Sequence, residues 1–312
     1  KKIKVLQDMN RRMVAYILGL LLLCEAGLLF LPTAVALIYS ESVLSAFLIT
    51  VAVLIVTGLI LIHFKPKDKT IFAKDGLIIV ALGWIFLSLF GAIPFYISGE
   101  IPSYLDAVFE TVSGFTTTGA SILSDVEALS KSMLFWRSFT HWIGGMGVLV
   151  FVMAVLPLSG GGGDLHLMRA ESPGPSVGKL VPRSNKTARI LYGIYLAMTV
   201  TEIILLIIGG MSLFDSVTIA FGTAGTGGFG VLNSSIASYN TFCQGVITVF
   251  MVLFGINFNM YYLILLKKFK AVWKNEEAFS NLTNEMGQLI DQKNRYITYD
   301  ATKPEYIYIE EN

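Results

Sequence analysis

Phe109–Leu123 reads FETVSGFTTTGASIL, and Met211–Gly230 reads MSLFDSVTIAFGTAGTGGFG. In each region a moderately apolar stretch too short to cross a bilayer, Pro102–Phe115 or Met211–Gly222, runs into a cluster of Gly and Thr. Apolar stretches of about 10–14 residues are commonly re-entrant. Non-helical backbone at membrane depth is tolerated only where it lines a protein or water cavity. Both stretches lie between longer apolar segments, so the pattern span, half-helix, Gly/Thr loop, span occurs twice. The layout from Phe109 to Gly119 matches that from Thr218 to Gly228, an internal repeat of about 110 residues.

The composition agrees with a membrane chain. Of 312 residues, 54% are hydrophobic and only 14% charged, with mean hydropathy +0.67. Soluble domains carry about 25% charged residues, so the deficit excludes a disordered chain and argues against a single soluble globule. Six apolar stretches are long enough to cross a bilayer: Met13–Leu31, Val43–Ile62, Leu77–Ser98, Ser132–Pro157, Ile190–Gly210 and Phe242–Leu266. The expected fold is an all-α polytopic membrane protein with six transmembrane helices and two re-entrant pore half-helices carrying filter loops. The first apolar run lacks a small-residue cleavage site and reads as a membrane helix rather than a signal peptide.

Charge sets the orientation. Of 23 Lys and Arg, only Lys131 and Arg137 fall on the side that also carries Glu41, Glu100, Asp106, Glu110, Asp125, Glu127 and Asp215. The positive-inside rule therefore places the basic side, with both termini, in the cytoplasm. The net charge of +1 gives no reason to expect a nucleic-acid partner; the lipid bilayer is the expected one.

The repeat has a physical use. A short helix entering from outside brings its partly negative C-terminal end toward the membrane centre, where it favours a cation. A Gly/Thr loop then turns carbonyl oxygens inward, and such oxygens can replace the hydration shell of K⁺. Acids at the outer mouth would raise the local cation concentration. GTGGFG at Gly225–Gly230 formally matches a dinucleotide fingerprint, but that motif requires a strand before it in a βαβ unit; a plain external turn is the better competing reading. No zincin, nucleophile-elbow or Walker motif is present, and no enzyme is expected.

FETVSGFTTTGASIL followed by WRSFTHWIGGMGVLVF resembles the first pore repeat of the TrkH/KtrB/HKT superfamily of potassium transporters. MSLFDSVTIAFGTAGTGGFG and GINFNMYYLILL resemble its second repeat, of the TrkH type. The resemblance implies K⁺ and Rb⁺ permeation through a filter formed by Thr116, Thr117, Thr118 and Gly119 with Gly225, Thr226, Gly227 and Gly228. It implies K⁺ as the transported ion, no covalently bound cofactor, and metal coordination at those residues alone.

The same resemblance divides the chain into an accessory helix pair (1–75), a first repeat (76–158), a cytoplasmic basic loop (159–188), a second repeat (189–277) and a polar tail (278–312). The family's pore has four repeats and this chain has two. Another copy or a second half-transporter would complete the pore; a non-conducting assembly partner or a truncated fragment is the alternative. The family also implies a cytoplasmic ring of nucleotide-binding, TrkA-like regulatory subunits.

Other residues carry lesser expectations. Arg137 is read as bridging to Glu110 or Asp106 and bracing the filter. Glu25, near a predicted helix end, reads as protonated or snorkelled, and Glu202 as pairing with a polar residue at a repeat interface. Gly144, Gly145 and Gly147 permit close helix approach, and Asn257 reads as a helix-packing hydrogen-bond donor or acceptor. His63, His141 and His166 show no metal-ligand spacing, and Cys24 and Cys243 are too few for a disulfide framework. Asn233 (NSS) and Asn281 (NLT) match weak glycosylation patterns. Ser159–Asp164 (SGGGGD) reads as a linker, and the tail reads either as disordered or as a strand added to a partner.

Overall fold

The computed structural model describes residues 10–64, 66, 73–147, 184–256, 258–265 and 267. The expectations for Asn257, His166, Asn281, the 159–183 part of the basic loop and the 278–312 tail lie outside these residues. All regular structure among the described residues is helical. In chain order the helices are α1 (Arg11–Ile38), α2 (Leu44–His63), α3 (Ala73–Gly91), α4 (Ile93–Ser98) and α5 (Tyr104–Phe115). They continue with α6 (Lys131–Gly145), α7 (Ser184–Ile208), α8 (Leu213–Ala224), α9 (Thr241–Gly255) and α10 (Phe258–Leu265). Two compact units are present, divided between Phe254 and Gly255; α10 is the helix described in the second.

Among the described residues, four helical segments are long and apolar enough to cross a membrane: Arg11–Ile38, Leu44–His63, Asp75–Ser98 and Arg189–Ile208. The first runs to Ile38 rather than Leu31, because Pro32 lies inside the helix instead of ending it. Proline is tolerated in membrane helices where a neighbouring hydroxyl satisfies freed backbone groups, and here the Thr33 hydroxyl donates to the Leu29 carbonyl at 2.6 Å. The third span is interrupted at Ala92, where α4 begins with Pro94 in its first turn. Proline at that position has no N–H to continue the preceding hydrogen-bond ladder. The fourth expected span is described through Gly147, and the sixth is divided into α9 and α10.

Helices α1 and α2 pack tightly. A Cβ on Gly19 would lie 2.8 Å from the Gly58 carbonyl oxygen, and one on Gly58 would lie 3.0 Å from that of Gly19. Lipid offers little hydrophobic drive between helices, so small residues that admit close backbone contact hold such pairs together. Val56, Ile60, Ile204 and Ile207 are exposed, as expected of residues facing hydrocarbon. Tyr195, Trp136 and Phe115 are among the largest fully buried side chains. Buried Trp and Tyr need polar partners, and both have them: Trp136 Nε1 donates to the Gly91 carbonyl at 2.9 Å, and the Tyr195 hydroxyl to the Trp142 carbonyl at 2.9 Å.

Candidate ion site

The half-helices α5 and α8 are built alike. Each has 12 residues and begins at a serine whose hydroxyl accepts from the backbone N–H of an aspartate three residues on: Ser103 from Asp106 at 3.4 Å, Ser212 from Asp215 at 3.0 Å. Serine at the cap satisfies an orphan N–H, and the carboxylate in the first turn complements the helix dipole. At the other end Thr118 N–H reaches back to Ser113 and Thr117 N–H to Gly114, while Gly227 N–H reaches to Gly222 and Thr226 N–H to Thr223. This is the Schellman arrangement, which turns the chain out of the helix through one left-handed residue.

That residue is threonine in both repeats. Thr117 has φ 53° and Thr226 has φ 54°. A β-branched side chain is a genuine outlier there, and such strain clusters at functional sites. Two residues later Gly119 and Gly228 have φ 75° and 79°, a conformation glycine adopts without penalty.

The two loops meet. A Cβ on Gly119 would collide with the carbonyl oxygen of Gly227. The α6 helix wedges between the half-helix ends through consecutive glycines. A Cβ on Gly144 would strike the Phe115 carbonyl oxygen, and one on Gly145 would lie 3.0 Å from that of Ala224. These are the last carbonyls of α5 and α8. Gly147 has a different role from close approach: at φ 77° its N–H returns to the Gly144 carbonyl and closes α6.

Above the loops, Arg137 forms an ion pair with Glu110, both buried. Glu110 also accepts from Ile122 N–H at 2.9 Å and from the Ser121 hydroxyl. Arg137 further donates to the Gly230 carbonyl at 2.9 Å and lies 3.6 Å from the centre of the Phe229 ring. One guanidinium therefore joins α5 and the exits of both loops. Asp106 belongs to the first turn of α5, with its N–H engaged by Ser103.

Several acids outside the two Gly/Thr loops have structural partners. Glu41 accepts from the N–H groups of Lys131 (2.7 Å) and Ser132 (3.1 Å), and Glu100 accepts from Ser130 N–H at 3.1 Å, so the start of α6 is capped by carboxylates from elsewhere. Burial pushes the Glu100 carboxyl above its ordinary range; the Ser130 hydrogen bonds oppose this, and nearby Glu41 reinforces it. The Lys131 ammonium lies 4.2 Å from the Tyr39 ring centre and 5.5 Å from that of Phe214.

Asn233, which lies in the weak NSS pattern, clasps together the loops that follow α5 and α8. Its amide donates to Asp125 at 2.8 Å and accepts from Val126 N–H at 2.8 Å, while its N–H donates to Glu127 at 2.9 Å. Glu25 lies near the middle of α1, fully buried, so it does not snorkel. Its Oε1 would be 3.0 Å from a Cβ on Gly91. Glu202 lies beside Thr223 of α8, within its own repeat rather than at a repeat interface.

Sequence reasoning set His141 aside as a metal ligand and gave it no other role. Its ring is fully buried beneath Gly227 and stacks on Phe229 with centroids 3.9 Å apart. The available signal was its spacing four residues after Arg137 on one helix, which places both on one face.

The family profile "TrkH: Cation transport protein" matches residues 43–298. The chain belongs to the TrkH family. The Trk system potassium uptake protein TrkH of Escherichia coli K12 is 36% identical over 275 residues, covering 86% of this chain and 56% of that protein. TrkG from the same organism, also a Trk system potassium uptake protein, is 35% identical over 82% of this chain and 54% of its own length. The crystal structure of the potassium transporter TrkH from Vibrio parahaemolyticus superposes with a TM-score of 0.73 at 30% identity, covering 92% of this chain and 58% of that one. This TrkH-family chain thus spans about half the length of the relatives it matches. Its fold is that of an all-helical membrane transporter.

Proposed function

We propose that this chain is a pore-forming subunit or half-length transporter for uptake of K⁺ and Rb⁺, with K⁺ as the transported ion. The observation that carries the reading is the doubled loop: two half-helices end in the same strained turn, and their loops meet at Gly119 and Gly227. Backbone carbonyls there and the threonine hydroxyls would replace water around a K⁺ ion. The ligand set is Thr116, Thr117, Thr118, Gly119, Gly225, Thr226, Gly227 and Gly228, supported by Glu110 and Arg137, with Asp106 at the outer mouth. The matched relatives are potassium uptake proteins, and the ion is taken from them.

A complete wall needs more chain. Gly119 packs on a neighbouring loop, whereas a Cβ on its counterpart Gly228 would have, among the described residues, only Met251 Cε within 4 Å, at 3.9 Å. That opening suits a further loop from another copy or a second half-transporter. The partition into accessory pair, two repeats, basic loop and tail, the plasma-membrane location with cytoplasmic termini, and a nucleotide-binding regulatory partner at the basic loop all belong to this reading.

The test is ⁸⁶Rb⁺ uptake into K⁺-loaded liposomes holding the purified chain, with external K⁺ and Na⁺ as competitors. Uptake blocked by K⁺ and spared by Na⁺ supports a pore assembled from copies of this chain. Folded, inserted protein that takes up no Rb⁺ defeats the self-sufficient pore and leaves a pore completed by a second half-transporter, a non-conducting partner or a fragment.

A further inference from the structure

The two loops differ at two matched positions, Thr116 against Gly225 and Thr118 against Gly227, and it is the second glycine whose missing side chain faces the ring of His141. Gly227 does not have the left-handed backbone of Gly119 or Gly228, which the positive-φ residues include while omitting it. Conformation therefore does not demand glycine there. Space does. A Cβ on Gly227 would strike Cε1 of His141 and lie 2.7 Å from its Nε2 and 2.9 Å from its Nδ1.

The imidazole thus stands where the second loop's own side chain would be. It comes from α6, a helix of the first repeat, and its backbone also touches the second loop: a Cβ on Gly225 would lie 2.6 Å from the His141 carbonyl oxygen. Phe229 fixes the ring in turn. Imidazole and guanidinium each lie within 4 Å of the Phe229 ring centre, His141 at 3.9 Å and 14° and Arg137 Cζ at 3.6 Å. Two planar groups that close must occupy opposite faces of the ring. On the far side of Gly227, its carbonyl oxygen abuts Gly119.

We infer that His141 is a positioning residue for ion selectivity: its ring replaces a side chain at position 227 and sets the Gly227 carbonyl against Gly119. This inference rests on the ion-conducting reading for its selectivity consequence, but its packing consequence stands apart. Close-packed interiors transmit small displacements, and a filter distinguishes cations by where its oxygens sit.

The test is a pair of reciprocal substitutions in the full chain, measured as thermal unfolding in detergent and as Rb⁺ uptake with Na⁺ competition. His141→Ala opens the space, and Gly227→Ala overfills it. Each single variant should lower the melting temperature and reduce the Rb⁺ over Na⁺ preference about tenfold, a size within the range measured for coupled neighbours. In the double variant the alanine at 227 occupies the space vacated at 141, so both losses should largely reverse. His141→Phe, which keeps a flat ring, should hold selectivity better than His141→Ala.

Additive losses in the double variant, in both melting temperature and selectivity, would overturn the inference. So would a His141→Ala protein whose melting temperature and Rb⁺ preference match those of the parent. A parent that takes up no Rb⁺ would sink the self-sufficient pore instead, and the melting-temperature cycle would still decide the packing claim.

Discussion

Gly119 and the carbonyl oxygen of Gly227 stand in direct backbone contact across the two repeats, with no room for a side chain between them. Gly228 occupies the matching place in the second loop with similar φ but without that crowding. A serine at either position is strained, and only at 119 does it also collide. Gly119→Ser should therefore lower Rb⁺ preference over Na⁺ more than Gly228→Ser, with a left-handed penalty of roughly 1–2 kcal/mol common to both. Competition curves from the two variants would check the order, and equal losses would refute it.

Arg137 and Glu110 form a buried pair whose partners come from three chain segments. Removing one member leaves an uncompensated buried charge, which costs about 3–5 kcal/mol. Arg137→Met should destabilise the folded chain by that order. Adding Glu110→Gln should cost much less than its effect alone, because the orphaned carboxylate is gone. Thermal unfolding of the two singles and the double yields the coupling, and simple additivity would show the pair to be independent.

Asn233→Ala removes the clasp to Asp125 and Val126. The site is exposed, so the loss should be about 1–2 kcal/mol, with increased amide exchange at 125–127. Unchanged exchange there would rule out the clasp.

Glu100 has its carboxyl raised by burial. A raised folded value means the neutral form is favoured in the fold. Its stabilising contribution is full below about pH 4.5, the ordinary carboxylate range, and is lost as pH rises through the folded value. Glu100→Gln should flatten this part of the stability–pH curve and equal or exceed the parent near neutrality, by less than about 1 kcal/mol after solvent screening. Unfolding midpoints measured between pH 4 and 8 provide the comparison; a parent more stable than the variant at pH 7 would contradict the sign.

Much of this protein is legible as sequence because membranes impose one-dimensional rules. Twenty or so apolar residues must form a helix, as Leu44–His63 does, since no water satisfies the backbone otherwise. The short stretches before Thr116 and Gly225 stand out for the same reason, and their shared layout exposes the repeat. Local pattern fell short where the outcome depended on surroundings: the first span, expected to end at Leu31, runs through Pro32 to Ile38, and Asn233 clasps a distant loop.

What only the tertiary structure decided is which residues from different segments touch. Sequence pattern reports the face a residue occupies on its own helix but not the neighbour it meets. Glycine illustrates the division. Gly119 and Gly228 are recognisable in the loop pattern because the turn needs positive φ, whereas Gly227, Gly144 and Gly145 owe their identity to His141, Phe115 and Ala224. Those are excluded-volume constraints between distant parts of the chain, and they exist only once the helices have packed.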